Sequence, residues 1–407
     1  MKGRLLTLLV VSLLAGGVSA GTSSSSVPLY GLFVVPATTG RPISAIAVHS
    51  VRGAFSPSVG AIVSDGAGGW FVGGDFDKVD DVACTNLVHV IPHHPISQHL
   101  CLPTNGVVLS LVRVGSSLFV GGIFTSIAGT ARNYLAKVDT KTGKVDAWNP
   151  QLFGAYQEPG ARVFPGQVEA IAASGAVVYA GGAFQLVGGI KMPNLVALDA
   201  TTAAPVGDWV PPRRLGNANV VTALALTGHR LLAGGDPFGL VALDSRTGRE
   251  LARAVPSFRE ALPYVGGLVV YAITVTRSKI YVGGQFSDVG TKRRTAVAAL
   301  DSRTLHLTNW YPGFARVTSS QVFSIAVDAS RVYLAGGFSR TGKKGSEMGV
   351  AAVDTGTGRH ISWSVKRDSG NGGDIQAIAV ARGLVAFGSG FCKGDEYTCT
   401  YPHPSRR

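Results

Sequence analysis

One phrase recurs seven times along the chain: an apolar doublet or triplet, a pair of small residues, one more residue, then Phe. It reads FVGGDF to Phe76, FVGGIF to Phe124, YAGGAF to Phe184, LAGGDPF to Phe238, YVGGQF to Phe286, YLAGGF to Phe338 and AFGSGF to Phe391. Successive Phe residues lie 48, 60, 54, 48, 52 and 53 positions apart. That is the period of a supersecondary unit stacked many times, longer than any single helix or strand. The chain is a repeat protein, so its length of 407 residues does not count domains in the usual way.

The repeat from Val107 to Pro150 divides into four β runs, VVLSLVRV, SLFVGG, YLAKVD and KVDAW, separated by turn signals. The first run recurs as VEAIAAS, VTALALT, VYAITVT, VFSIAVD and IQAIAVA. It is small and apolar, as a strand beside a crowded axis must be. Four short antiparallel strands repeated radially make the blade of a β-propeller. Chain composition agrees, with 54 Gly, 3 Met and 15% charged residues, and no long amphipathic helical pattern appears.

The third run ends at Asp139, Asp199, Asp244, Asp301 and Asp354, each followed three residues later by Thr. Aligned carboxylates suggest metal ligation or acid catalysis, but an Asp that opens a turn binds the backbone amides just ahead of it. The reading here is structural. Trp148, Trp209, Trp310 and Trp363 close the fourth run and are expected to fill the outer wedge between neighbouring blades.

The last repeat supplies two strands only, and the missing half lies at the other end of the chain. LFVVPATTGR at 32–41 aligns with LVALDSRTGR at 240–249, and SAIAVHSV follows. The expectation is an all-β, seven-bladed propeller of four-stranded blades occupying residues 30–407, its final blade shared between 30–50 and 374–391. Such sharing removes the open edge of an unclosed array.

Residues 1–20 read as a secretory signal peptide: Lys2 and Arg4, an apolar run from Leu5 to Leu14, then Val18-Ser19-Ala20. Residues 21–29 are a flexible lead-in. No later stretch reads as a membrane span, and the expected setting is extracellular or cell-surface. Four cysteines in an exported chain imply two disulfides, by proximity Cys84 with Cys101 and Cys392 with Cys399, with the other two pairings open. The formal charge of +13 falls by two when the signal leaves, and a basic exported protein meets anionic surfaces.

The copies beginning at Leu118 and Ile280 resemble the delta-60 type β-propeller repeats of secreted bacterial proteins, with Arg132 and Arg294 three residues before the third strand as in that family. The resemblance spans roughly residues 58–391, and 30–50 through the closing strands. It implies a propeller and an extracellular setting, and no shared reaction. LDSRTGRE and VDTKTGKVDAW also resemble quinoprotein dehydrogenase repeats, which implies pyrroloquinoline quinone with calcium as an alternative cofactor. Those enzymes often carry a disulfide of adjacent cysteines, and no cysteines are adjacent here.

His89, His93, His94 and His99 cluster between Cys84 and Cys101, where a loop is expected; imidazole suits transition metals, but no fixed ligand spacing is present. Neither a G-x-S-x-G elbow nor H-E-x-x-H occurs. The expected function is a non-catalytic binding or scaffold module, monomeric, without nucleic acid, for an anionic polysaccharide or a cell-surface protein. The alternative is a propeller enzyme, quinone-dependent or a hydrolase or lyase, working at the channel mouth. The expected ligand rim is Lys292, Arg293, Arg294, Lys343 and Lys344, on loops between second and third strands.

Overall fold

The architecture follows from what the Gly-Gly pair does to the strand beside it. In the computed structural model, described for residues 31–38, 44–49, 57–92, 100–154, 166–216, 219–251, 255–259, 267–314, 320–338, 347–363 and 375–389, each repeat forms an antiparallel sheet. Sheet 1 comprises Ser58–Ser64, Trp70–Asp75, Leu87–Val90 and Leu100–Cys101. Sheet 2 comprises Val108–Val114, Ser117–Gly122 and Leu135–Asp139; sheet 3, Gln167–Ser174, Val177–Ala183 and Leu195–Asp199. Sheet 4 comprises Val220–Thr227, Arg230–Asp236 and Gly239–Asp244; sheet 5, Val269–Val275, Lys279–Gln285 and Val297–Asp301. Sheet 6 comprises Gln321–Val327, Arg331–Phe338 and Glu347–Asp354. Sheet 7 runs Ile375–Ala381, Leu384–Ser389, then Gly31–Pro36 and Ser44–His49 from the start of the chain.

The two glycines have different tasks. A Cβ on the first, at Gly73, Gly121, Gly181, Gly234 or Gly283, would stand less than 3.0 Å from the Val that opens the next sheet: Val108, Val168, Val221, Val270 or Val322. Gly388 of sheet 7 meets Val59 of sheet 1 in the same way, so the series returns to its starting sheet. The first strands accordingly pack on one another in order, and Ile375–Ala381 packs on Ser58–Ser64. A Cβ on the second glycine would collide with a carbonyl of its own first strand, as at Gly182 with Gln167 and Gly284 with Val269. That carbonyl is close because every first strand carries a register shift there. One extra residue on a strand bends it toward its partner. The motif is therefore a double clearance, one glycine for the neighbouring sheet and one for the bulge.

The expectation of four strands per repeat is corrected for sheets 2 to 6. There the fourth run shrinks to single bridges, Val138↔Val145, Leu198↔Pro205, Leu243↔Glu250, Leu300↔Leu307 and Val353↔His360. The Asp turn reverses the chain and one bridge forms, and in sheets 2, 3 and 5 a Trp then pulls the chain toward the next sheet. The indole nitrogens of Trp148, Trp209 and Trp310 donate to the carbonyls of Asp199, Ser245 and Asp354, each on the following sheet's turn. Edge-on contacts with Phe119 and Tyr281, and a tilted one with Tyr179, fix the rings of Trp148, Trp310 and Trp209. Among the described residues sheet 1 keeps four strands, and sheet 7 keeps four and continues from Ser44–His49 into the two-residue strands Lys78–Val79 and Val82–Ala83.

The sheet 7 register pairs Phe33 with Phe387 and Leu32 with Gly388. Leu32, Val34 and Val35 are at most 1% exposed, so this N-terminal strand is core. Trp363 of sheet 6 packs in a cluster with Phe33, Val35 and Ala37, and Arg331 donates to the Ala37 carbonyl at 2.8 Å. Between sheets 5 and 6, Lys279 reaches Thr355 O in the same manner, and between sheets 4 and 5 Arg230 reaches Arg303 O. Among the described residues, no helix is long and apolar enough to cross a membrane. The signal, the lead-in and Cys392 with Cys399 lie outside the described residues.

Candidate functional site

The aligned carboxylates are turn residues. Oδ1 of Asp139, Asp199, Asp244, Asp301 and Asp354 accepts the amide of the Thr three residues on and its hydroxyl. Those bonds hold the Asp301 carboxyl below its ordinary range, the Thr304 amide contributing most. A carboxylate satisfied this way is a poor metal ligand or acid.

His89 is corrected from loop to strand. It sits in Leu87–Val90, its ring stacks on Phe71 with centroids 4.3 Å apart, and its Nε2 lies 3.0 Å from Asp65 Oδ2. Burial raises the Asp65 carboxyl, but the amides of Ala67, Gly68 and Gly69 and the imidazole outweigh it and leave the group lowered. Among the described residues, no three His, Cys, Asp or Glu side chains come together as a metal site. His93, His94 and His99 lie outside those residues. Cys84 and Cys101 are disulfide-bonded.

In sheets 1, 2, 3 and 5 the second-to-third connection, expected as a loop, is a ribbon of two-residue strands. In sheet 5 the ribbon Asp288–Val289 and Lys292–Arg293 pairs with Phe258–Arg259 from the preceding connector. Register puts Arg259, Asp288 and Arg293 side by side across it. Arg259, Lys292 and Arg293 are exposed, and among the described residues none of their side chains makes an ion pair. Arg294 behaves otherwise. Its guanidinium donates to the carbonyls of Arg293 and Thr308 and lies 5.1 Å from the Tyr311 ring centroid, and burial lowers its pKa. The expectation that Arg294 belongs to a free cationic rim is corrected: it ties the ribbon to the chain leaving the Asp turn. Arg132 makes the matching bonds to Ala131 and Asp146 in sheet 2. Lys343 and Lys344 lie outside the described residues.

A second arrangement, missed in the sequence, surrounds the centre of the first strands. The residue skipped by each register shift is Gly60, Leu109, Glu169, Thr222, Tyr271, Phe323 or Gln376. The residue before it is 0% exposed in every sheet: Val59, Val108, Val168, Val221, Val270, Val322 and Ile375. The skipped residues themselves keep partial exposure, except Thr222, whose hydroxyl donates to Val270 O. Each first strand packs between the first strands of two neighbouring sheets. Of the skipped residues, Tyr271 and Phe323 touch, with ring centroids 5.2 Å apart. Glu169 holds the same position in sheet 3, and its Oε1 accepts from Gln167. Burial, with Asp236 nearby, pushes the Glu169 carboxyl up to about 8. The signal was present in the sequence: a Val or Ile, one variable residue, then Ala or Ser, in the first run of every repeat.

No family model matches the chain, and no curated protein matches it. Solved structures do. The computationally designed Ika8 protein aligns at 16% identity over 84% of this chain and 83% of its own, with a TM-score of 0.46. The Pan2 WD40 domain of Neurospora crassa aligns at 10% identity over 88% and 95%, TM-score 0.48. BamB from Moraxella catarrhalis aligns at 14% identity over 88% and 91%, TM-score 0.41.

Proposed function

We propose that the chain is an exported, seven-bladed propeller that binds an anionic polymer of the cell envelope or extracellular space as a non-catalytic module. Ring closure is supported by the glycine-to-valine joint repeated from Gly73–Val108 round to Gly388–Val59, with each sheet serving as one blade. The disulfide between Cys84 and Cys101 suits an oxidising compartment.

The binding reading is carried by one observation: Arg259, Lys292 and Arg293 are brought to one short ribbon and left exposed. Cations that the fold needed are tied to carbonyls, as Arg294, Arg331 and Lys279 are. Among the described residues these three are not, which leaves them for a ligand. Exposed charges are screened over about 10 Å at 0.1 M salt, so retention on an acidic polysaccharide column should fall steeply with salt. A variant with Arg259→Ser, Lys292→Ser and Arg293→Ser should elute earlier and melt as the parent does. Equal retention of parent and variant, or none by the parent, would sink this reading.

A further inference from the structure

Four large apolar side chains are exposed among the described residues, Phe153, Leu186, Ile190 and Val210, and the first three meet on one ribbon. It is the second-to-third connection of sheet 3, Leu186–Val187 and Ile190–Lys191, with Leu152–Phe153 of the preceding connector paired alongside. Alternation along the strands divides its two faces. Leu152 and Val187, paired with each other, are 0% exposed and hold the ribbon to the protein. Phe153, Leu186 and Lys191 make the row on the opposite face, and Ile190 stands at the tip, 54% exposed. Between the strands Gly188 and Gly189 take positive φ, as a two-residue hairpin requires, and a Cβ on either would meet nothing within 4 Å. In sheet 5 the same register positions hold Arg259, Asp288 and Arg293, with Lys292 at the tip. The ribbon therefore folds with charged residues there, and its apolar row in sheet 3 is not a demand of the fold.

We infer that the sheet 3 ribbon docks on an anionic lipid bilayer, with Phe153, Leu186 and Ile190 entering the headgroup boundary and Lys191 reaching back to the phosphates. Two observations choose this occupant. The first is size: a stable protein partner buries about 800 Å² on each side, with about twenty residues, whereas this patch is three side chains on a short hairpin. A bilayer needs no complementary shape, and a few apolar side chains with cations beside them hold a protein to its surface. The second is charge. Residues 185–192 include Lys191 and no acid. The same glycine-to-valine joint relates sheet 3 to sheet 4, at Gly181 and Val221, and sheet 4 to sheet 5, at Gly234 and Val270, so the ribbons of sheets 3 and 5 leave from the same end of their sheets. Sheet 4, between them, has no ribbon, because Arg230–Asp236 turns directly into Gly239–Asp244. Arg259, Lys292 and Arg293 thus share an end of the protein with the apolar row, which matches a surface that is apolar beneath and anionic above.

This goes beyond the polymer reading, and the apolar ribbon carries it. The test uses the mature chain, without residues 1–20, and vesicles of phosphatidylcholine alone or mixed with phosphatidylglycerol. In co-flotation the protein should rise with the mixed vesicles and stay behind with phosphatidylcholine. Phe153→Ser combined with Ile190→Ser should lower the partition coefficient about tenfold, as two apolar side chains withdrawn from the interface imply, while melting as the parent does and keeping its retention on acidic polysaccharide. Leu186→Trp gives a direct reading that does not depend on how the double variant folds: brominated lipid in the mixed vesicles should quench its fluorescence beyond any quenching of the parent. A parent that ignores the mixed vesicles, a folded double variant that binds them as the parent does, or a Leu186→Trp variant with no added quenching overturns the inference. A parent that sediments as a dimer while the double variant sediments as a monomer assigns the ribbon to a second copy and overturns it too. Polysaccharide retention is read separately from vesicle binding, so the two readings fail independently.

Discussion

Glu169 should make the protein less stable as pH rises, and its replacement by Gln should abolish that loss. The sign follows from linkage. In the unfolded chain an ordinary glutamate gives up its proton near pH 4.5, whereas in the folded chain burial and Asp236 hold it to about 8. Between those values the folded state binds a proton that the unfolded state has lost, so stability falls with rising pH by about 1.4 kcal/mol per pH step. The penalty is absent below about pH 4.5 and complete above about 8, with a ceiling of roughly 5 kcal/mol. Relaxation around the carboxylate reduces this, and a loss of about 1–3 kcal/mol is the working expectation. Gln is nearly isosteric and uncharged. Urea unfolding of parent and Glu169→Gln at pH 5, 7 and 9 isolates the effect, because every other titrating group cancels in the difference. The two should be similar at pH 5, and the variant should be the more stable at pH 9. Parallel profiles would show that Glu169 titrates as an exposed glutamate, and the enclosed placement of its carboxyl would be refuted.

Arg294→Leu should destabilise by about 1–2 kcal/mol in thermal or urea unfolding, since it leaves two carbonyls without their charged donor; Lys292→Ser, two residues away, should change nothing. Deleting residues 31–49 removes Gly31–Pro36 and exposes the edge of Leu384–Ser389, so size-exclusion chromatography should show aggregation; a deleted chain that stays monomeric with unchanged melting would count against closure.

The repeat was legible because its signals are local and steric. The Gly pair, the Asp-x-x-Thr turn and the Trp each act within one blade or on the next, and a period of about fifty residues displays them together. LFVVPATTGR could be aligned with LVALDSRTGR, and Leu32 and Leu240 do occupy third strands, Gly31–Pro36 and Gly239–Asp244. The fourth strand was overread. KVDAW has a strand's alternation, but Asp146 caps the Trp148 amide and the indole reaches for the next sheet, a tertiary pull that outweighs local preference. Arg294 was placed among free cations because its partners are backbone carbonyls, and these leave no trace in sequence. Glu169 leaves no mark for a related reason: within QVEAIAAS it looks like an outward residue of an alternating strand, and its place in the register shift appears only in the fold.

The surplus of positive charge divides accordingly into two populations. Arg132, Arg230, Lys279, Arg294 and Arg331 each donate to backbone carbonyls at a turn or a seam. A Trp or Tyr caps several of the same turns, and the turn carbonyls of one sheet therefore become acceptors for the sheet before it. A neutral donor would serve that purpose, but a long cation reaches across the widening outer wedge while its stem packs against apolar neighbours. Net charge is thus a poor guide to what this protein binds. What distinguishes Arg259, Lys292 and Arg293 is position: they stand together on one short ribbon, exposed and, among the described residues, without an ion pair, so their charge is left to the solvent and to whatever anion approaches it.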